Sequence, residues 1–489
     1  MGTGELEDKG EVPMIDRSEI LAVAGDLSLS PDVIEKDYVL GWLLAGIFRN
    51  QTLAPAWSFK GGTCLKKCDF ETYRFSEDLD FTLSDRTHLN ADFLKETFGQ
   101  VARWVYDETG IEIPADQLRF EVLQNPRGGV SCEGRVYYNG PLRHAGSIPR
   151  IKLDITADEL LALPSADRPV GHPYSDLPEG GIVARCYAYE ELFAEKIRAL
   201  SERTRPRDLY DVINLFRHGE FRPAVAAVVD VLTRKCAFKG IPVPTLASLA
   251  DKAQELTGDW EAMLGHQLPV LPPFDSFWGA LPEFFSWLDG GVPAAPAPKP
   301  MAAGEAILRP AVGYLRRQGV RGSSFLEAIR FAASNRLCVD LDYVNEQGER
   351  GVRTIEPYSL RRTAAGDIVL HAVRADNRQS RSYRLDRMRG ATVTGRTFVP
   401  IYEIELGATE LGAIQPTTRG SSMGGYPMAV RPRMTRPTRR RTGPTYVYEC
   451  TYCRKRFPRS KHDSRLRPHK NPAGWDCPGQ TGYLVDTRH

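Results

Sequence analysis

Apolar residues occupy every second position in two short segments of the chain, residues 79–83 and 151–155, with Asp, Lys and Thr between them. Side chains two apart on a strand point to the same face, so this period of two predicts strands buried on one side. A third strand is predicted over Trp57 to Lys60, where Gly61-Gly62 stops it.

Helical patterns surround these strands. Ser30-Pro31-Asp32 predicts a helix start, because Ser caps, Pro suits the first helical position and Asp favours the positive helix end. Apolar residues later recur at helical spacing in two stripes. The stripes are Phe193, Ile197 and Leu200, and then Leu209, Val212, Ile213 and Phe216. The first part of the chain is therefore expected to mix helices and strands.

A different pattern follows in the middle of the chain. A helix is predicted over 325–334, and short strands are predicted after it. These strands cover 338–343, 353–358, 368–373 and 382–385. A helix followed by closely spaced short strands favours a small barrel.

Two stretches lack any such period. Pro, Gly and Ala crowd into 290–304, and alternating Arg and Pro end the stretch 407–445. The expected organisation is α+β overall: a body over 14–290, a linker over 291–304, a middle domain over 305–405, a basic flexible linker over 406–444 and a small module over 445–489. A chain of 489 residues is long enough for about three domains of ~150 residues.

Composition and charge narrow the class of protein. The longest strongly apolar stretch, 38–48, is shorter than the ~20 residues of a membrane-spanning helix, and the N-terminus is polar and acidic. Six scattered cysteines before residue 400 are typical of reduced thiols, and a cytoplasmic protein without a membrane partner is expected. Residues 428–489 carry fifteen Lys and Arg against four Asp and Glu, which indicates a polyanionic partner.

Candidate chemistry begins on the strand over 79–83. Asp78 and Asp80 lie two apart and present two carboxylates on one face, which suits Mg²⁺. Asp154, on the polar face of another strand, would add a third carboxylate for in-line phosphoryl displacement. Upstream, the backbone N–H groups of Gly61, Gly62 and Thr63 and a free Thr hydroxyl could hold a phosphate at a helix start. Each feature alone also fits a solvated strand face or a simple turn.

The order of these features resembles the AbiEii/AbiGii toxin family of nucleotidyltransferases, whose fold is that of the DNA polymerase β-like enzymes. The resemblance rests on four segments. They are Lys60 to Thr63, RFSEDLDF (Arg74 to Phe81), EKDYVL (Glu35 to Leu40) and EELFAEKIRALSERTRPRDLYDV (Glu190 to Val212).

The resemblance implies a role for each matching residue. Gly62 and Thr63 would hold the triphosphate, Asp78 and Asp80 would ligate Mg²⁺, and Lys196 would neutralise charge on the leaving pyrophosphate. Asp211 would help to place Lys196 or the acceptor, although a Lys and an Asp can also form an ordinary surface ion pair. Asp154 lies on a strand that varies in the family.

The middle domain resembles a WYL domain, a small Sm-like barrel, in 342–360, 367–373 and 383–393. Ile368-Val369-Leu370 stands where the family's name tripeptide would be. The resemblance implies a pocket for nucleic acid or nucleotide-like ligands, and its lining residues here would be Tyr343, Ser359, Arg384 and Arg387. The two arginines could instead pair with Asp386 and other nearby acids.

The C-terminal module carries a metal-ligand pattern. Cys450 and Cys453 form a Cys-x₂-Cys, and His469 and Cys477 follow, which predicts a structural tetrahedral Zn²⁺ site; His462 is an alternative to His469. Aromatic residues among Lys and Arg, together with Arg439, Arg440 and Arg441 in the linker, suit RNA or DNA. A zinc-stapled domain with a basic surface is the alternative.

These predictions lead to an expected function. The resemblance implies a Mg²⁺-dependent enzyme that transfers NMP from an NTP to an acceptor hydroxyl, at the 3′ end of tRNA. Such an enzyme would be a toxin in a toxin–antitoxin or phage-defence system, with a cognate antitoxin. The alternatives are transfer of NMP to a protein, and a nucleic-acid-binding regulator without enzymatic activity.

Overall fold

The computed structural model describes residues 15–406 and 445–488, apart from gaps. The gaps lie at 71–72, 125–127, 145, 147, 220, 294–295, 310–319, 451–455, 460–468, 470–476 and 478–481. The chain forms two compact units, Met1–Thr417 and Thr418–His489. The described part contains no helix that is both long and apolar enough to cross a membrane.

A seven-stranded mixed sheet forms the centre of the body. Its strands are β1 (Trp57–Lys60), β2 (Asp78–Leu83), β3 (Arg119–Gln124), β4 (Val130–Tyr137), β5 (Arg150–Thr156), β6 (Ala166–Val170) and β7 (Ile182–Cys186). Their order is β3-β4-β5-β2-β1-β7-β6. β2 is antiparallel to β1 and parallel to β5. The three strands predicted from the sequence therefore lie side by side at the middle of the sheet.

Helices surround this sheet. They are α1 (Arg17–Leu27), α2 (Pro31–Arg49), α3 (Gly61–Cys64, continued by a π-helical turn over Leu65–Asp69), α4 (Ala91–Thr109), α5 (Tyr189–Arg203), α6 (Pro206–Arg217) and α7 (Val225–Lys239). The shorter helices are α8 (Leu246–Leu249), α9 (Ala253–Gly258), α10 (Trp260–Leu264), α11 (Phe274–Trp278) and α12 (Leu281–Leu288). α2 begins as predicted, with Ser30 accepting a hydrogen bond from the Asp32 N–H.

The apolar stripes predicted on α5 and α6 face the core. Phe193, Ile197, Leu209 and Phe216 are almost fully buried, and the rings of Phe193 and Phe216 both pack against Trp287 of α12. This packing fixes the inner faces of α5 and α6, which carry the candidate catalytic side chains.

The predicted middle domain is a helix followed by antiparallel strands. They are α13 (Leu326–Ser334), β9 (Leu337–Val344), β10 (Arg350–Arg362), β11 (Ile368–Arg374), β12 (Ser380–Arg384) and β13 (Met388–Thr397). The order is β12-β11-β10-β9-β13, and the short β8 (Ala306–Ile307) also pairs with β10. Within the residues described, the two end strands β12 and β13 are not paired, so the hydrogen-bonded path of the predicted barrel stays open there.

The Pro- and Ala-rich linker is not simply solvated, as its composition led us to expect. The buried Arg361 of β10 donates hydrogen bonds to the carbonyl oxygens of Lys299 and Pro300. Lys299 Nζ lies 2.7 Å from His371 Nδ1. Backbone carbonyls without regular partners thus bind a buried guanidinium, which holds the linker against the middle sheet.

The C-terminal unit contains three antiparallel strands, β14 (Thr445–Cys450), β15 (Arg456–Arg459) and β16 (Gly482–Arg488). Their order is β15-β14-β16. β14 ends at Cys450, the first of the predicted zinc ligands.

Candidate active site

The turn between β1 and α3 lies directly against β2. Lys60 is paired with Asp80 in the antiparallel register, and Gly61 adopts a positive φ of 82°. A Cβ at Gly61 would collide with the Asp80 carboxylate. Glycine is therefore required here both for the backbone conformation and for the close approach to Asp80.

The three predicted carboxylates lie on one face of the sheet. Asp78 and Asp80 are two apart on β2, and Asp154 of β5 is the parallel register partner of Asp80. Neighbouring strands are ~4.8 Å apart, so Asp80 and Asp154 stand side by side. The structure thus brings together the acid pair and the third acid that the sequence could only place on another strand.

The electrostatics of these acids follow from their crowding. Burial, then the neighbouring Asp154 and Asp78, raise the pKa of Asp80 to about 6, against the opposing effect of Lys60 and Lys196. The pKa of Asp78 is also raised, first by burial and then by Asp154, while Arg207 opposes the shift. Asp78 and Asp80, whose charged forms are disfavoured, form with Asp154 a donor set that a hard divalent cation would stabilise.

Lys196 and Asp211 form a buried ion pair beside these carboxylates. Lys196 Nζ lies 2.7 Å from Asp211 Oδ2 and 3.6 Å from Asp208 Oδ1. Arg74 binds Asp211 through two hydrogen bonds of 2.7 Å, from Nε and from a terminal nitrogen. Although burial opposes it, the Arg74 and Lys196 cations hold the pKa of Asp211 well below its usual range. Asp211 therefore stays charged and fixes Lys196.

Asp80 and Lys196 line a pocket of about 210 Å³. Its wall also includes Lys60, Gly61 and Arg203. A larger groove of about 490 Å³ is lined by residues of 245–246 and 282–291 and contains none of the predicted catalytic groups. The smaller pocket, lined by both acids and cations, has the chemistry that a nucleoside triphosphate and its metal would need.

Thr63 differs from the expectation of a free hydroxyl. Its Oγ1 donates a hydrogen bond of 2.5 Å to the Asp78 carbonyl oxygen, and the side chain is buried. The hydroxyl thus ties α3 to the start of β2. Gly62, the preceding residue, packs so closely against Arg74 that a Cβ would collide with the guanidinium.

Some neighbours of the site were not singled out from the sequence. Arg74 is the first residue of the matching segment RFSEDLDF, and this position is the signal in the sequence that points to it. Glu195 accepts a hydrogen bond of 3.0 Å from Lys60 Nζ and lies 3.2 Å from Lys235 Nζ. Although burial opposes it, Glu195 keeps the pKa of Lys60 above its usual range. Nothing in the local sequence pattern indicates this long-range network.

The four residues predicted to line a pocket in the middle domain are all engaged with neighbours. The Tyr343 hydroxyl accepts a hydrogen bond from the Arg384 N–H, and the buried Ser359 accepts one from Arg361 Nε. Arg384 pairs with Asp386 and Asp367, and Arg387 lies 3.2 Å from Glu346. The structure therefore shows the ion-paired alternative for both arginines, and their role in ligand binding stays a prediction.

Three of the predicted zinc ligands meet in the C-terminal unit. The ligand atoms of Cys450, His469 and Cys477 all lie within 4.8 Å of one another, and the two sulfur atoms are 3.8 Å apart. Two thiols and an imidazole at these separations fit a tetrahedral Zn²⁺ site. Cys453, the alternative His462 and the linker residues Arg439, Arg440 and Arg441 lie outside the described residues.

Two family models match parts of this chain. A family model described as nucleotidyl transferase AbiEii toxin, type IV TA system, matches residues 42–288, and a WYL domain model matches residues 324–393. JHP933 from Helicobacter pylori is similar at 17% identity over 54% of this chain and 95% of that chain, with a TM-score of 0.34. A second H. pylori structure is 17% identical over 54% of this chain and 98% of its own, with a TM-score of 0.35. No curated protein matches the chain.

The fold, the acid-lined pocket and the family match together define the chain as a nucleotidyltransferase, an enzyme whose substrate is an NTP. Within that class, the chain belongs to the AbiEii family of toxins from type IV toxin–antitoxin systems, and a WYL domain follows the enzyme domain. A toxin of such a system has an antitoxin as its counterpart. These statements confirm the family, the fold class and the enzymatic class expected from the sequence.

Proposed function

We propose that this enzyme transfers NMP from an NTP to an acceptor hydroxyl in a Mg²⁺-dependent reaction. The observation that carries the proposal is the grouping of Asp78, Asp80 and Asp154 on adjacent strands, with Asp80 and Lys196 lining the same pocket. Carboxylate oxygens are the ligands that Mg²⁺ prefers, so the donor set fits the metal. Bound there, Mg²⁺ would supply charge stabilisation to the transferring phosphoryl group and its attacking oxygen.

The protein groups have distinct tasks in this proposal. Gly61 and Gly62 bring the backbone close to the triphosphate, and Thr63 fixes that backbone to β2. Lys196 offers a positive charge to the leaving pyrophosphate. Asp211 and Arg74 act as positioning residues, because Asp211 pairs with Lys196 and Arg74 holds Asp211 in place.

We infer that the acceptor is RNA, and specifically the 3′ end of tRNA. Fifteen Lys and Arg against four Asp and Glu in 428–489 favour a polyanionic acceptor. The zinc module, held by Cys450, Cys453, His469 and Cys477, and the basic residues 439–441 would supply phosphate contacts. A structural Zn²⁺ there would hold a unit whose three short strands offer little core of their own. The WYL domain would sense a nucleic-acid or nucleotide signal, through Tyr343, Ser359, Arg384 and Arg387 or residues near them.

We also propose that the chain is divided into a body (14–290), linkers and two smaller parts (305–405 and 445–489). We further propose that the protein is cytoplasmic and acts in phage defence. These proposals are based on composition and on the family resemblance.

A labelling experiment tests the proposed reaction. Purified protein is incubated with Mg²⁺, each NTP labelled at the α-phosphate, and either total RNA or total protein. We expect label on the 3′ end of tRNA, and no label with chelator or with Lys196→Ala. Label on protein alone would favour protein NMP-transfer. No label with any acceptor, from a protein that still binds RNA, would favour the regulator.

A further inference from the structure

Three cysteines meet in the core of the enzyme domain. Cys64 ends α3, Cys68 follows four residues later in the π-helical turn, and Cys186 is the last residue of β7. β7 runs parallel to β1, with Phe59 paired to Cys186, so its end lies against the start of the helical segment. The three sulfur atoms all lie within 4.8 Å of one another. The relative exposures of these residues are 0%, 3% and 0%.

This spacing is that of a thiolate metal site. Zn–S bonds are about 2.3 Å long, which puts sulfur ligands of one tetrahedral ion roughly 3.8 Å apart. The other buried cysteines of the enzyme domain, Cys132 and Cys236, belong to no such group among the described residues. The cluster therefore has the geometry of three ligands and is not a general feature of cysteines in this core.

One cation interacts electrostatically with all three cysteines. Arg168 of β6 has Coulombic interactions with Cys64, Cys68 and Cys186. Arg168 of β6 also pairs with Asp69, the residue after Cys68. Three thiolates around a divalent ion leave one negative charge, and the Arg168 guanidinium lies where it would offset that charge.

We propose that Cys64, Cys68 and Cys186 bind a thiophilic metal ion such as Zn²⁺, at a structural site separate from the C-terminal cluster. Cys64 directly follows Gly61 to Thr63, so a metal at this place would brace α3 against β7 and hold the turn beside Asp80. The site has no role in the chemistry of transfer, because its ligands are buried in the core. The proposal therefore stands whether or not the enzyme transfers NMP to RNA.

Metal content of the full-length protein tests the site. Zinc per chain is measured by elemental analysis in the wild type, in Cys64→Ala and Cys186→Ala, and in the matched controls Cys132→Ala and Cys236→Ala. We expect both cluster variants to lose one equivalent of zinc per chain, and both controls to keep the wild-type amount. Equal zinc in all five proteins would overturn the proposal.

A second measurement leaves the core cysteines unchanged and so does not depend on whether their variants fold. The full-length double variant Cys450→Ser/Cys477→Ser lacks two ligands of the C-terminal cluster. When it is freed of metal and titrated with Cd²⁺, it should take up one equivalent and show the ultraviolet charge-transfer band of cadmium thiolates. Absence of this band would overturn the proposal, as would a disulfide among the three cysteines revealed by a thiol count on the denatured, unreduced protein.

Discussion

The position of Asp80 disfavours the charged form of its carboxylate as long as no cation is bound. Its neighbours across and along the sheet are acids, and the Gly61 turn packs against it. A folded-state pKa of about 6 exceeds the ordinary value of 3.8. A raised pKa means that the folded state gains stability below pH 3.8 and loses it as pH rises through about 6. At neutral pH the site therefore holds Asp80 in its charged form despite repulsion from the neighbouring acids.

Asp80→Asn should abolish transfer while removing that repulsion. We expect the metal-free variant to be more stable than the metal-free wild type at pH 7.5, by about 2 kcal/mol or less given the partial exposure of the site. The difference should shrink between pH 7.5 and pH 5. Urea unfolding with chelator at both pH values measures it, and NMP incorporation measures activity. Unchanged incorporation would exclude Asp80 as a metal ligand.

Asp211 shows the opposite case, an acid stabilised by two cations. Asp211→Ala would leave Arg74 and Lys196 buried without their shared carboxylate. We expect a loss of about 3–5 kcal/mol in the free energy of unfolding. Asp230→Ala is the matched control, because its pair with Arg234 is exposed on α7 and should matter by less than about 1 kcal/mol. Equal effects of the two changes on urea unfolding would contradict a buried, structural ion pair at Asp211.

At the scale of elements, the β1–α3 connection places the site. β1 ends at Lys60 and α3 begins at Gly61, with no loop between them. The turn, α3 and β2 are joined by the hydrogen bond from Thr63 to the Asp78 carbonyl oxygen. A change in this turn therefore moves both the strand that we propose to bind metal and the backbone that we propose to hold phosphate.

Gly61→Ala tests this coupling against Gly240→Ala. Both glycines have a positive φ, 82° and 68°, so alanine costs about 1–2 kcal/mol of backbone strain at either position. At Gly240, however, a Cβ would meet nothing within 4 Å, whereas at Gly61 it would collide with Asp80. We expect Gly61→Ala to abolish transfer and Gly240→Ala to keep it, with thermal unfolding followed for both. Full activity of Gly61→Ala would show that the close approach to Asp80 is dispensable.

The strands and helices that carry the site were largely predictable. β2 and β5 lie where alternation placed them, and β1 lies where it was predicted, directly before Gly61-Gly62. α5 and α6 bury the predicted stripes. β10 is longer than expected, because it continues through Arg362 to pair with β8 and β11. That extension depends on partners distant in sequence, which a local pattern does not contain.

At the scale of the whole molecule, charge is divided unevenly along the chain. The near-neutral total of +2 combines an acidic body with a basic C-terminal region. The compact unit Thr418–His489 corresponds closely to this basic region. We therefore expect affinity for the RNA acceptor and the chemistry of transfer to depend on different parts of the chain.

Removal of the residues after 406 should raise KM for the RNA acceptor and leave kcat largely unchanged, because uniform binding energy lowers KM alone. Affinity of the full-length protein for RNA should also fall with salt, with a logarithmic slope of about −0.7 per phosphate contacted on a single strand. Steady-state kinetics and binding titrations at several salt concentrations measure both effects. A truncated enzyme with unchanged KM for RNA would assign the basic region to another partner.

The sequence by itself determined the local features of this protein. Alternation at 79–83 defined a strand with two acids on one face. The spacing of Cys450, Cys453, His469 and Cys477 predicted a zinc site, and the structure brings three of these residues together. The strand depends on neighbours along the chain, so a repeating pattern of residue types is sufficient to encode it.

Only the tertiary structure decided which distant residues meet. It placed Asp154 beside Asp80, joined Asp211 to both Arg74 and Lys196, and gathered Cys64, Cys68 and Cys186. Strand order and helix packing set these contacts, and both arise from burying apolar faces of the whole domain at once. The period of hydrophobic residues determines which face each helix or strand buries. It does not determine which other element that face contacts.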